Sequence, residues 1–446
     1  MTQRLFRAPA PEATVLVSGA HLLDPRGDLD GPGDVLIRAG VIAEIGAPGG
    51  LTAPPEAERV NGTGRHLLPA FFDPHVHLRA PGQEHKEDVE TGTRAAAAGG
   101  FCGVVAMPNT DPPLDSAPLL LALRETARRD ARVPVGFMPC ISRGMEGEQL
   151  TDMVELREAG ALGFTDDGRP VVSSGLMRKA LQYQRLCGGV LALHEEDPAL
   201  SAGGSMHEGE VSARLGIGGI PSISESTMIA RDAALAAYEG GRIHIQHVSA
   251  WESVTAVAAA KAAGTQITAE ASPHHLLLTD EDVRELDTRR KMNPPLRTER
   301  DRQAVIDALR SGVIDCIATD HAPHHRDDKD VPFEQAAFGT TGLETAFSSL
   351  YTELVLPGVL GLARLVQALS EGARVLDLTV PRIEVGAAAN CCLIDLQASW
   401  QVGEAGYESR AENSAFAGST VSGRVLLTLA DGIVAYHERA FALTAA

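Results

Sequence analysis

His75 and His77 are separated by one apolar residue in Asp73-Pro74-His75-Val76-His77-Leu78-Arg79, which follows Leu67-Leu68-Pro69-Ala70-Phe71-Phe72. In an extended segment alternate side chains share a face, so both imidazoles point one way while Val76 and Leu78 point the other. Two imidazoles on one rigid strand lose little freedom on binding a single ion, and the pair reads as half of a metal site. That reading needs further ligands from elsewhere in the chain.

Such ligands recur at one kind of position, just beyond a short apolar run. Asp166-Asp167-Gly168 follows the run 162–165, His194-Glu195-Glu196 follows 190–193, His247 follows 242–246 and Asp320-His321 follows 314–318. Imidazoles and carboxylates converging from separate strands are the donors expected of a zinc centre that keeps one position open for water. The strand pattern does not say which of Asp166 and Asp167 points inward. Each residue taken singly has an ordinary alternative, a turn-capping Asp before Gly or a hydrogen-bonded surface His. Their joint placement favours the metal.

The elements that must position these groups follow from periodicity. The apolar runs 103–107, 133–138, 162–165, 190–193, 242–246, 266–269 and 314–318 alternate with Ala-, Leu- and Arg-rich helical segments such as 119–129, 226–238, 254–263 and 299–309. With the strand that carries His75 and His77, this makes roughly eight β/α units, and the expected fold is α/β, a (β/α)8 barrel whose chemistry lies at the carboxyl ends of its strands. Segments 14–18, 34–37 and 41–45 are β-rich, with Arg38-Ala39-Gly40 as a turn. Segments 383–396 and 421–436 are β-rich again, with Gly386, Gly418, Gly423 and Gly432 at turn positions. The expected division is 1–66 and 376–446 as two parts of one small β subdomain, and 67–375 as the barrel. No internal repeat or low-complexity tract interrupts it.

Composition narrows the function classes. With 446 residues, 44% hydrophobic and 22% charged, the chain resembles ordinary globular proteins. A formal net charge of −20 argues against nucleic acid or an anionic membrane as partner, and it requires any anionic substrate to meet locally placed Arg, His or metal. No apolar run reaches transmembrane length, and Met1-Thr2-Gln3-Arg4 lacks the layout of a secretory signal, so a cytoplasmic enzyme is expected. Cys102, Cys140, Cys187, Cys316, Cys391 and Cys392 contain no C-x-x-C pair and are expected to be buried reduced thiols.

The motifs also resemble a known family. The His75/His77 run, Met107-Pro108-Asn109-Thr110, Phe164-Thr165-Asp166-Asp167-Gly168, His194-Glu195-Glu196-Asp197, Ile245-Gln246-His247-Val248-Ser249, Met292-Asn293-Pro294-Pro295-Leu296-Arg297 and Ala318-Thr319-Asp320-His321-Ala322-Pro323-His324 are together similar to the dihydroorotases of the amidohydrolase superfamily, in their longer bacterial class. The resemblance spans nearly the whole chain. It implies a zinc-dependent barrel, with one or two ions, that interconverts N-carbamoyl-L-aspartate and L-dihydroorotate in pyrimidine synthesis. By resemblance His75 and His77 are ligands of a first metal, Asp167 is the bridging carboxylate, His194 and His247 are ligands of a second metal, and Asp320 is both ligand and general acid/base. Arg79, Asn109 and His324 match residues that hold the substrate carboxylate, and Asn293 and Phe338-Gly339 match contacts to the ring. A homodimer is expected, and association with aspartate carbamoyltransferase is compatible with the resemblance.

Elementary chemistry supports these roles. A dianionic substrate needs a cation, and Arg79 lies two residues beyond His77, on the same face if extension continues. In the reaction the resemblance implies, bound zinc would lower the pKa of water and polarise the ring carbonyl, and Asp320 would carry the proton between water and ring nitrogen. The loop 321–342 is long enough to be a lid, with a merely solvated loop as the equal alternative. The chain departs from the family pattern in Pro69-Ala70, Arg79-Ala80-Pro81, Ala388-Ala389-Asn390 and Glu408-Ser409-Arg410-Ala411-Glu412-Asn413, none of which removes a proposed ligand. Hydantoinases, dihydropyrimidinases and allantoinases share the His-x-His start but bridge their metals with a carboxylated lysine on strand four. Here that strand ends in two aspartates, and Lys86, Lys179, Lys261, Lys291 and Lys329 lie elsewhere. A ligand-stripped, non-catalytic partner of aspartate carbamoyltransferase is disfavoured by the ligands present, and a deaminase by the Arg79 and Asn109 pair.

Overall fold

Short β-branched and aromatic runs form strands here, and runs buried on both faces form parallel ones. The computed structural model describes residues 4–439 and 441; Met1, Thr2 and Gln3, on which the expectation of no secretory signal rests, and the end of the 376–446 segment lie outside them. In chain order the strands are β1 (Val15–Asp24), β2 (Leu29–Arg38), β3 (Val41–Gly46), β4 (Glu58–Asn61), β5 (His66–Pro69), β6 (Phe71–Val76), β7 (Phe101–Ala106), β8 (Val135–Phe137), β9 (Leu191–Leu193), β10 (Met206–His207), β11 (Gly219–Ile220), β12 (Arg242–Ile245), β13 (Gln266–Ala271), β14 (Cys316–Ile317), β15 (Cys391–Gln401), β16 (Thr420–Ala430) and β17 (Ile433–His437).

Strands β6, β7 and β8 form one parallel sheet, and β14, β13, β12 and β9 form another in that order. Every residue of β6 and of β7 is buried, as strands covered on both faces require. The two sheets are joined at both edges. Leu162 N donates to Phe137 O of β8 at 3.0 Å, and Phe164 pairs in parallel with Leu191 of β9. Across the other gap, Val76 pairs in parallel with His321, and His77 N donates to His321 O at 2.9 Å.

The run 162–165, expected as a full strand, is thus reduced to a single bridge. Its exit is drawn aside because Thr165 N bonds Pro139 O, and the following Asp166 carboxylate accepts from Ile141 N at 2.8 Å and Ser142 N at 3.1 Å. The expected helices are present at Ala117–Asp130, Ile223–Glu239, Trp251–Ala262 and Glu299–Ser311, each slightly longer than expected, although the third stops one residue short of its expected end. The last is delimited by chemistry visible in sequence, a Thr298/Asp301 capping box at its start and left-handed Gly312 at its end.

The remaining large sheet runs β17-β16-β15-β5-β1-β2-β3, with β4 also on β1, so N- and C-terminal segments share one layer. The β2–β3 turn falls at Ala39-Gly40, whose φ values are 47° and 74°. Residues 383–390, expected as strand, are irregular. Gly386 adopts φ 89° and its N–H bonds Ile42 O at 2.8 Å, so this stretch caps the edge of β3 before β15 begins. Gly423, expected at a turn, lies inside β16 with φ 85°; a Cβ there would stand 2.9 Å from the Phe347 ring, so glycine lets β16 pack against the helix Ala346–Leu350. Phe347 in turn stacks on Phe71 of β6 at 5.4 Å, which ties that helix to the strand bearing the histidines. All six cysteines are free thiols, with Cys187 only partly buried. Among the described residues, no helix is long and apolar enough to cross a membrane.

Candidate metal centre

Six side chains from five strand ends meet in one buried cluster. His75 Nε2 lies 3.6 Å from Asp167 Oδ1 and 3.4 Å from Asp320 Oδ1. His77 Nε2 lies 3.0 Å from Asp320 Oδ1 and 3.5 Å from Asp167 Oδ2. His194 Nδ1 and His247 Nε2 are 2.9 Å apart, and each is 3.7 Å from Asp167 Oδ1. Asp167 therefore faces four imidazoles. Asp166 turns the other way, onto the backbone of Ile141 and Ser142.

Two sets within the cluster, His75/His77/Asp320 and His75/Asp167/His247, each bring one donor atom per residue within 4.8 Å of one another. His75 Nε2 is buried without a hydrogen-bond partner while both carboxylates stand near it, and His247 Nδ1 is buried and unpartnered as well. Imidazole nitrogens and carboxylate oxygens with an orphaned lone pair between them fit a divalent metal of zinc's type. A third set, His244/Glu270/Cys316, is less apt: burial pushes the Cys316 thiol well above its usual range, and Glu270 and His244 already bond each other.

Electrostatics match this arrangement. Burial opposes charge on Asp320 and Asp167, yet His75, with His77 beside it, holds both carboxyls far below the usual range. Burial likewise disfavours charged His75, but Asp167, Glu270 and Asp320 outweigh it and raise the imidazole well above its ordinary value.

Three residues of the site also carry backbone strain. Arg79, His247 and Asp320 adopt φ of 57°, 32° and 47°, a left-handed conformation that costs a non-glycine residue about 1–2 kcal/mol. For Arg79 this corrects the sequence-based expectation: β6 ends at Val76, and the chain does not continue extended. The arginine reaches its position by a left-handed turn, with Nε donating to Pro323 O at 3.0 Å.

The other named residues are distributed around the cluster. Asn109 accepts from His77 Nδ1 at 2.8 Å and donates to Asp167 Oδ2 at 3.3 Å. Asn293 Nδ2 donates to Glu196 Oε2 at 2.7 Å, and its Oδ1 is buried with no partner. His324 Nε2 is 2.7 Å from Phe338 O and 3.3 Å from Arg79 Nη2. Burial holds His324 well below its usual pKa, so a neutral ring spends its single N–H on the Phe338 carbonyl. The loop 321–342 is folded, with a helical turn at Arg326–Lys329 and a 3-10 turn at Phe333–Gln335, and is tied down by Lys329 Nζ to Thr288 O and Ala337 O.

Three buried groups escaped sequence analysis. Glu270 Oε1 lies 2.7 Å from His75 Nδ1, and its Oε2 lies 2.9 Å from His244 Nε2. Asp73 accepts from His75 N and from Thr319 N and Oγ1, joining β6 to the Asp320 turn, and burial pushes its carboxyl up to about 7. His274 sits just past β13, between the strands that lead to His247 and Asp320; its Nε2 is buried and unpartnered, and burial lowers its pKa to about 4. The available signal was a charged residue between two alanines inside a strand, which Glu270 supplies in β13.

A family model described as dihydro-orotase-like matches residues 64–253. A dihydroorotase of Geobacter sp. strain M21 is 44% identical over 424 residues, covering 95% of this chain and 99% of its own length. One from Anaeromyxobacter dehalogenans strain 2CP-1 is 46% identical over 430 residues, covering 95% and 98%. Among solved structures, the L-hydantoinase of Arthrobacter aurescens superposes with TM-score 0.84 at 25% identity, covering 95% of this chain and 96% of that one. The D-hydantoinase of a Thermus sp. gives 0.82 at 25% identity, covering 97% of each.

Proposed function

The chain belongs to the dihydroorotase family, and from that premise we propose that it interconverts N-carbamoyl-L-aspartate and L-dihydroorotate, opening and closing a cyclic amide in pyrimidine synthesis. The two parallel sheets and the pairings between them are taken as one closed (β/α)8 barrel, with the mixed sheet as its β subdomain. His75, His77 and Asp320 would hold one ion, His194 and His247 a second, with Asp167 between them. Zinc bound there supplies Lewis-acid polarisation of the ring carbonyl and a water of lowered pKa.

The chain's own groups do the rest. Asp320 takes a proton from the attacking water and delivers it to the departing ring nitrogen; in ring closure it removes one from the ureido nitrogen. Asn109 orients His77 and Asp167 through its two amide contacts and borders the substrate carboxylate. The unpartnered Oδ1 of Asn293 is a ready acceptor for a ring N–H, with Phe338-Gly339 lining the same side.

Arg79 carries the substrate assignment. Its guanidinium is buried, and burial lowers its pKa to about 10, yet among the described residues it forms no ion pair. A buried cation without a carboxylate is costly, and the substrate's carboxylate would complete it. The hydantoinase-type alternative is less well supported, because Lys86 pairs with Asp328, Lys261 with Asp315, Lys291 and Lys329 bond backbone carbonyls, and Lys179 is exposed. A cytoplasmic homodimer that can associate with aspartate carbamoyltransferase belongs to the same proposal, supported by family membership alone.

The test is turnover of dihydroorotate, hydantoin, dihydrouracil and allantoin by zinc-loaded wild type and Arg79→Met. Wild type should favour dihydroorotate by about 100-fold or more in kcat/KM, and Arg79→Met should lose most of that preference. Equal turnover of the uncharged rings by wild type would defeat the assignment, as would an Arg79→Met enzyme that handles dihydroorotate normally.

A further inference from the structure

We propose that Asn413 positions the wall that receives the substrate carboxylate, acting through His324 and Gly339 and not by touching substrate. Asn413 belongs to the segment between β15 and β16, far from the strand ends in sequence, yet it is buried beside the loop that follows Asp320. Its Oδ1 accepts from His324 N at 3.0 Å, and its Nδ2 donates to Ala322 O at 3.1 Å and Gly339 O at 3.2 Å. Its own carbonyl accepts from Thr340 Oγ1 at 3.0 Å. One primary amide thus joins both arms of the loop, the arm that leaves Asp320 and the arm that returns through Gly339.

No other side-chain chemistry would serve equally. The site asks for one acceptor and two donors in a plane, which an amide supplies; a carboxylate would face two carbonyl oxygens with no hydrogen to offer. The returning arm also depends on close approach. Gly339 has φ 124°, and a Cβ there would stand 2.6 Å from the Ala322 Cβ and 3.4 Å from His324 Nε2. With Gly339 against the ring and the neighbouring Phe338 carbonyl fixing its N–H, His324 has little freedom to leave the side of Arg79. The opposite flank is held separately, by Gly339 N to Lys291 O at 2.8 Å and by Lys329 to Ala337 O, so loss of Asn413 should loosen the wall without unfolding it.

The substrate part of this proposal rests on the carboxylate assignment made above, and the experiment separates the two. In zinc-loaded Asn413→Ala, amide hydrogen exchange across residues 322–340 should accelerate while zinc content stays that of wild type. KM for dihydroorotate should rise by about 10-fold with kcat within about 3-fold, since the ligands and Asp320 are untouched. Asn413→Asp, which keeps the acceptor and loses both donors, should shift in the same direction and serves if the alanine variant does not fold. Unchanged exchange would overturn the positioning role whatever the substrate is. Faster exchange with unchanged KM would overturn the link to substrate, and a fall in zinc content and kcat at constant KM would assign the segment to the metal side instead. A wild type that does not turn over dihydroorotate would count against the functional assignment, leaving exchange to decide the role of Asn413.

Discussion

Glu270 Oε1 lies 2.7 Å from His75 Nδ1, a buried contact between the end of β13 and the end of β6. A carboxylate only accepts, so Nδ1 carries a hydrogen, and Nε2, which faces Asp167 and Asp320, is the nitrogen left to ligate a metal. His244, donating to the other oxygen of Glu270 and 2.8 Å from Thr268 Oγ1, extends the relay away from the site. Burial disfavours the Glu270 charge, but His75 and His244 hold its pKa down to about 2.

Glu270→Gln should therefore leave the fold intact and weaken metal binding, because an amide can present its NH2 to Nδ1 and release the tautomer. The expected loss in affinity is about 10- to 100-fold, read by chelator competition. Zinc affinity equal to wild type would mean that His75 needs no such partner.

Asp320→Asn suits the backbone, since asparagine tolerates the left-handed φ of 47° at this position. It removes the group that carries the proton, so kcat should fall by about two to four decades in both directions. Metal analysis of the variant must accompany the rates. A metal-replete variant with wild-type kcat would exclude Asp320 as the proton carrier.

Lys329 gives a pH dependence of stability. Burial, with Lys291 nearby, lowers its pKa from 10.5 to about 7. Below about pH 7 both folded and unfolded chains carry the charge, and the folded state bears its full burial penalty. Between about 7 and 10.5 the unfolded chain binds the proton and the folded one does not, so this group makes stability rise with pH. The neutral amine keeps two N–H donors, enough for Thr288 O at 2.9 Å and Ala337 O at 2.7 Å. Thermal unfolding at pH 7 and pH 9 should show a larger upward shift in wild type than in Lys329→Met, and parallel shifts would rule this out.

Local chemistry was legible in the chain itself. Apolar runs bounded by turn residues marked β6, β7, β12 and β13, the Thr298 box and Gly312 bounded a helix, and the alternation of His75, Val76 and His77 placed both imidazoles on one side. These features depend on neighbours a few residues apart, and side-chain period and capping report them directly. Tertiary structure decided the rest. Which of two adjacent aspartates faces the histidines turned on Asp166 being drawn to Ile141 and Ser142, and the position of Arg79 turned on a left-handed residue that no strand pattern announces. Glu270 meets His75 across 195 residues, and Asn413 meets His324 across 89. In sequence, a polar residue reads the same whether it faces a partner or solvent. Only the packing of distant segments supplies the partner, and with it the role.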